Sequence, residues 1–107
     1  RLPELFCGFP RRPAESPILY PVACAPQAWA SAAVFGMLQG CLGLDFHAAK
    51  PRITLSAPHL PAFIDWMKIK QLSIGPHNVD LLLLRYQNNV GIEVTRKTGE
   101  IEVVVAI

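Results

Sequence analysis

The sequence predicts an α+β chain in three parts: an irregular apolar loop, one buried helix, and a small antiparallel β-sheet or sandwich. Three observations carry this. Proline is dense as far as Pro21, a mostly apolar run from Cys24 to Leu44 keeps helical spacing, and from about Pro51 the hydrophobic period changes to two. The helical and β portions divide the chain into 1–46 and 47–107.

In the first part, Pro3, Pro10, Pro13, Pro17 and Pro21 remove amide donors and fix φ, which excludes regular helix or internal strand. Leu2, Leu5, Phe6, Phe9, Ile18, Leu19 and Tyr20 make this loop too apolar for a solvated linker. The helix follows, with Pro26 suited to its first turn and Gly43 to a left-handed C-terminal cap. Trp29, Ala33, Gly36, Met37, Gly40 and Leu44 share one face, yet Phe35, Leu38 and Leu42 make the other apolar too. A helix apolar all round belongs inside a structure. Its run is short for a membrane span and is broken by Ser31 and Gln39, so no membrane is expected. Its small residues suit close helix neighbours that this sequence does not supply. That, with a start at Arg1 rather than methionine, reads as a piece of a longer chain.

In the third part "RITLS" is a short strand before a turn bracketed by Pro58 and Pro61. "FIDWMKIKQLSIG" alternates, but Met67 and Ile69 fall out of phase with Leu72 and Ile74, which predicts a β-bulge near Lys70 or Gln71. "VDLLLLRY", between Gly75-Pro76 and Asn88-Asn89, reads as a buried central strand. "VGIEVTR" and "EIEVVVAI" flank Thr98-Gly99 as a hairpin, with Ile101, Val103, Val105 and Ile107 facing inward. Together these strands make an antiparallel meander.

Composition narrows function. The 107 residues suit one modest core, and 51% hydrophobic against 17% charged residues implies efficient burial or an apolar face kept for something else. A net charge of +2, with Arg11-Arg12 and Arg96-Lys97 as isolated pairs, leaves no footprint for nucleic acid. Cys7, Cys24 and Cys41 are odd in number and lack metal-ligand spacing. They read as reduced thiols of a cytoplasmic protein, and no secretory signal is visible. His47, His59 and His77 stand apart, so no metal is expected. No cofactor is expected: no glycine-rich phosphate loop occurs, and Ser16 and Ser31 lack the setting of a hydrolase nucleophile.

Two stretches carry a resemblance: "LPEL" at Leu2–Leu5 and, after a loop, "CAPQAW" at Cys24–Trp29. In this order and spacing they resemble the C-terminal end of the amylo-α-1,6-glucosidase domain of glycogen debranching enzymes. The β-rich tail is similar to the bacterial branch of that family. The resemblance implies that 1–46 holds the last catalytic loop and closing helix of an (α/α)6 toroid, with 47–107 a C-terminal antiparallel β-domain. It also implies that the remaining toroid helices are the helix's partners and that an α-glucan or malto-oligosaccharide is the substrate. "CAPQAW" departs from eukaryotic relatives in lacking a polar residue before the glutamine, so a sugar contact at that position is not carried over.

Inverting glycoside hydrolysis needs an acid for the leaving oxygen and a base for water on the opposite face, roughly 6.5–9.5 Å apart. The resemblance implies Glu4 as the general base, with the acid outside this chain. A carboxylic acid is ionised at neutral pH without tuning, so positioning is the demand. Pro3 restricts the backbone before it, and Leu2 and Leu5 can anchor the turn. Candidate substrate contacts are Gln27, Trp29 and Tyr20, each with a second reading. Gln27 can bond a sugar hydroxyl, hold the Glu4 loop or satisfy backbone groups at the helix start. Trp29 can stack on a sugar or pack in a core, and Tyr20 can line a cleft or pack the loop.

Three functions compete. The first is a glycoside hydrolase of which this piece, with one carboxylate, is inactive alone. The second is a β-rich structural or carbohydrate-binding accessory in which Glu4 is incidental. The third is a small interaction protein whose apolar helix meets another chain. An apolar loop leading into an all-round apolar helix favours the first over the second. Self-association fits both the first and the third.

Overall fold

The computed structural model describes residues 2–87 and 89–107. Arg1 and Asn88, the second expected to bound the central strand with Asn89, lie outside the described residues. The elements in it are one helix, α1 (Ala28–Leu42), and six strands: β1 (Leu44–His47), β2 (Arg52–Ser56), β3 (Trp66–Ile74), β4 (His77–Tyr86), β5 (Asn89–Thr98) and β6 (Glu102–Ala106). The chain divides into two compact units, Arg1–Met37 and Leu38–Ile107.

In the first unit the prolines forbid regular structure, and the chain doubles back on itself instead. Phe6 and Leu19 form an isolated antiparallel bridge, beside which the Cys7 amide donates to the Ile18 carbonyl at 2.8 Å. The Arg12–Glu15 turn carries Ala14 at φ 61°. The Gln27 carbonyl accepts the Ser31 amide at 3.0 Å, so the helix opens at Ala28 and Pro26 lies ahead of it, not in its first turn.

The helix is not buried as expected. Only Ala30 and Leu42 among its side chains are buried; Trp29, Val34, Phe35 and Met37 are exposed, Phe35 by 74%. The expected end of an (α/α)6 toroid is likewise overturned. The chain is mostly β, in two sheets, with a single helix among the described residues. An all-round apolar helix implies partners but does not show their kind. Most apolar residues beyond it alternate with period two and meet their partners across strands.

In the second unit Gly43, at φ 54°, stops the helix in the left-handed conformation with its amide donating to the Gly40 carbonyl at 3.2 Å. The chain passes at once into β1, a strand that sequence reading absorbs into the helix end. β1 pairs antiparallel with β2, and β2 pairs parallel with β6; β3, β4 and β5 form a second sheet, antiparallel throughout. The meander therefore ends at β5. No hairpin forms about Thr98-Gly99: Gly99, at φ 75°, turns the chain away, and β6 joins β2 in the other sheet. Alternation identifies an inward face but not the strand that pairs with it.

Ile53 and Leu55 of β2, Val79, Leu81 and Leu83 of β4, and Leu42, Leu60 and Ile101 form one buried cluster. Met67, Ile69, Leu72 and Ile74 of β3 pack against it from both sides of the bulge, where the register shifts between Ile69 and Leu72 and Gln71 takes φ 56°. The Arg85 guanidinium ties down the proline-bracketed loop, donating to the carbonyls of Leu60 at 2.9 Å, Ile64 at 2.6 Å and Pro61.

Candidate functional site

The first unit brings the two halves of the resemblance together. The Glu4 amide donates to the Cys24 carbonyl at 2.8 Å, and the Cys24 amide donates back to Glu4 Oε2 at 3.3 Å. Further out, two residues before Glu4 and three after Cys24, the Gln27 amide donates to the Leu2 carbonyl at 3.4 Å. "LPEL" and "CAPQAW" thus form a short clamp around Pro3, which has no amide of its own to satisfy. Pro3 is buried and Glu4 half-buried, so the carboxylate is oriented by a backbone amide while solvent still reaches it.

The other candidates take different places. Gln27 Oε1 accepts the Ala28 amide at 3.2 Å, and its carbonyl opens the helix, so both groups serve the helix start. Trp29 is exposed on the first helical turn; Tyr20 is exposed too, its carbonyl accepting the Ala23 amide at 3.0 Å in a turn. Among the described residues no hydrogen bond joins the side chain of Tyr20 or Trp29 to Glu4. A concavity of about 180 Å³ lies at the loop tip among Phe9, Arg11, Arg12, Glu15 and Ile18, and Glu4 does not line it. It is a product of loop packing, with Arg12 and Glu15 pairing at 3.9 Å across exposed surface.

The most perturbed carboxylate is one that sequence reading passes over. Asp80 of β4 has a side chain only 12% exposed. Its Oδ1 accepts the Gln71 amide at 2.8 Å, and its Oδ2 meets Arg96 Nε at 3.2 Å. The Gln71 amide, then Arg96 and the more distant Lys68, hold its carboxyl below the usual 3.8, against the opposing effect of burial. Among the described residues the partners of its side chain are the Gln71 amide and Arg96, neither a nucleophile nor a second carboxylate. Its signal in the sequence is the phase slip in β3, which exposes an amide opposite Asp80.

Among the described residues, no three or more His, Cys, Asp or Glu side chains gather where they could hold a metal ion. Cys7, Cys24 and Cys41 are free thiols. No helix among these residues is long and apolar enough to cross a membrane. No known family, curated protein or solved structure matches the chain. The resemblance to debranching glucosidases is carried only by the residues of Leu2–Leu5 and Cys24–Trp29, with the β-rich tail beside them.

Proposed function

We propose that this chain supplies the general base, Glu4, of a glycoside hydrolase that cleaves α-glucosidic linkages in α-glucans with inversion. The observation that supports the reading is the clamp between Glu4 and Cys24. A general base must be ionised, fixed in direction and reachable by water. A half-buried carboxylate with one oxygen on a backbone amide is fixed in direction and reachable by water. The acid comes from residues outside this chain, and the chain alone is inactive because one carboxylate cannot serve both faces of the sugar. A cytoplasmic setting belongs to the same reading, supported by the free thiols.

The test uses the complete hydrolase that carries this chain, as wild type and as Glu4→Gln, with malto-oligosaccharides and a branched limit dextrin. Release of β-glucose that the variant loses by about a hundredfold or more is the expected outcome. No glucose from the wild type, or equal release by the variant, refutes the assignment. A second reading, a non-catalytic carbohydrate-binding or structural accessory, is favoured by the self-contained core of Leu38–Ile107.

A further inference from the structure

The sheet β3-β4-β5 turns Met67, Ile69, Leu81, Leu83, Val90 and Ile92 toward the core. Its opposite face is divided. At one end Trp66 pairs with Leu84, and Leu84 with Gly91. Tyr86 lies two residues along β4 on that same face, diagonal to Trp66 and about 7–8 Å from it by strand geometry. The Tyr86 ring occupies the space over Gly91, where an added Cβ would come within 2.6 Å of Tyr86 Cε2. Trp66 is 63% exposed and Tyr86 60%. Toward the other end the face is charged: Lys68 and Glu93 flank Leu82, and Asp80 pairs with Arg96.

The apolar surface of this face is therefore small: two rings, Leu84 between them, and the half-buried Leu82 among the charges. Two aromatic side chains offer roughly 300–500 Å² when fully exposed, and these are only 63% and 60% exposed. A stable protein interface needs about 800 Å² per partner, which the charged remainder of the face does not supply. What fits is a small ligand with flat apolar faces and a hydroxyl rim. A pyranose ring has both: its C–H face stacks on an aromatic ring, and its hydroxyls can bond neighbours such as Lys68 and Glu93.

We propose that Trp66 and Tyr86 form a stacking platform for an α-glucan chain, on a unit that does not contain Glu4. The choice of glucan rests on the function proposed above; the platform itself rests on the sheet.

The test is calorimetric titration of the 107-residue chain with maltoheptaose and cellohexaose, with amide and indole NMR shifts followed in parallel. Maltoheptaose is expected to bind, with shifts centred on Trp66, Leu84, Tyr86 and Gly91. Trp66→Ala and Tyr86→Ala each weaken binding by about tenfold, Trp66→Phe and Tyr86→Phe retain most of it, and Glu4→Gln binds as wild type. Absence of binding, shifts centred elsewhere, or binding that both alanine variants keep overturns the platform. Equal affinity for cellohexaose overturns the α-glucan assignment, and a dimer dispersed by Trp66→Ala overturns it in favour of a second copy. The shift map needs no variant, so a misfolded variant leaves the proposal testable. No outcome depends on glucose release, which tests Glu4 separately.

Discussion

Gly43 joins the helix stop to the sheet in one residue. Its φ of 54° is a left-handed conformation, and a Cβ there would run into the Ser56 carbonyl oxygen while lying 2.9 Å from the Ser56 amide nitrogen. Gly75, at φ 57°, has the same backbone demand but open space around it. Left-handed geometry costs a non-glycine residue ~1–2 kcal/mol. Urea unfolding should therefore show Gly75→Ala losing about that much and Gly43→Ala losing clearly more, the excess measuring the steric overlap. Equal losses would show that β2 gives way at no cost. The helix stop at Gly43 was legible in the sequence; the approach of Ser56 was not, because it comes from a strand thirteen residues later in the chain. Glu4 shows the same division. Its residue type and proline neighbour are local, while the Cys24 amide that orients it is set by how a proline-rich loop closes.

At the scale of elements, β4 is held between two irregular neighbours that both slip at Asp80. β3 places Lys70 and Gln71 against it, and β5 leaves Thr95 unpaired between Val94 and Arg96, its hydroxyl donating to the Asp80 carbonyl at 3.3 Å. Each bulge adds a residue that turns a partner toward the carboxylate: the Gln71 amide from one side, the Arg96 guanidinium from the other. The folded state thus lowers the Asp80 pKa, so the ionised form stabilises the fold. That stability is fully present above the ordinary carboxylate value and is lost as pH falls through the lower folded value. Asp80→Asn should be less stable than wild type at pH 7 in urea unfolding, and the gap should narrow below about pH 4. A gap constant from pH 7 to pH 2.5 would refute an ionic role. The β3 slip was readable as a break in alternation; the β5 slip was not, since Val94, Thr95 and Arg96 continue an unremarked alternating run.

At the scale of the molecule, burial is uneven. The buried cluster lies wholly within Leu38–Ile107, while Arg1–Met37 exposes Phe9, Val22, Trp29, Phe35 and Met37 and buries little beyond Pro3 and Ala30. Opening free energies follow buried contact, so native-state hydrogen exchange should find its slowest amides in Val79–Leu83, bonded into β4 with strands on both sides. Amides of the 2–27 loop should exchange first. Slowest exchange in Ala28–Met37 would contradict this. Legible from the residues alone was what acts over a few positions: the proline-bound loop, a helix with its glycine stop though not its start, the period-two strands and the bulge before Leu72. Visible only in the folded chain are the departure of β6 from β5 to lie parallel to β2, the exposure of most apolar side chains on the helix, the meeting of Glu4 with Cys24, and the shared sheet face of Trp66 and Tyr86. The reason is physical. Proline, glycine and periodicity constrain φ, ψ and facing locally, whereas strand partners are chosen by the free energy of covering faces, and several alternating segments offer nearly the same face.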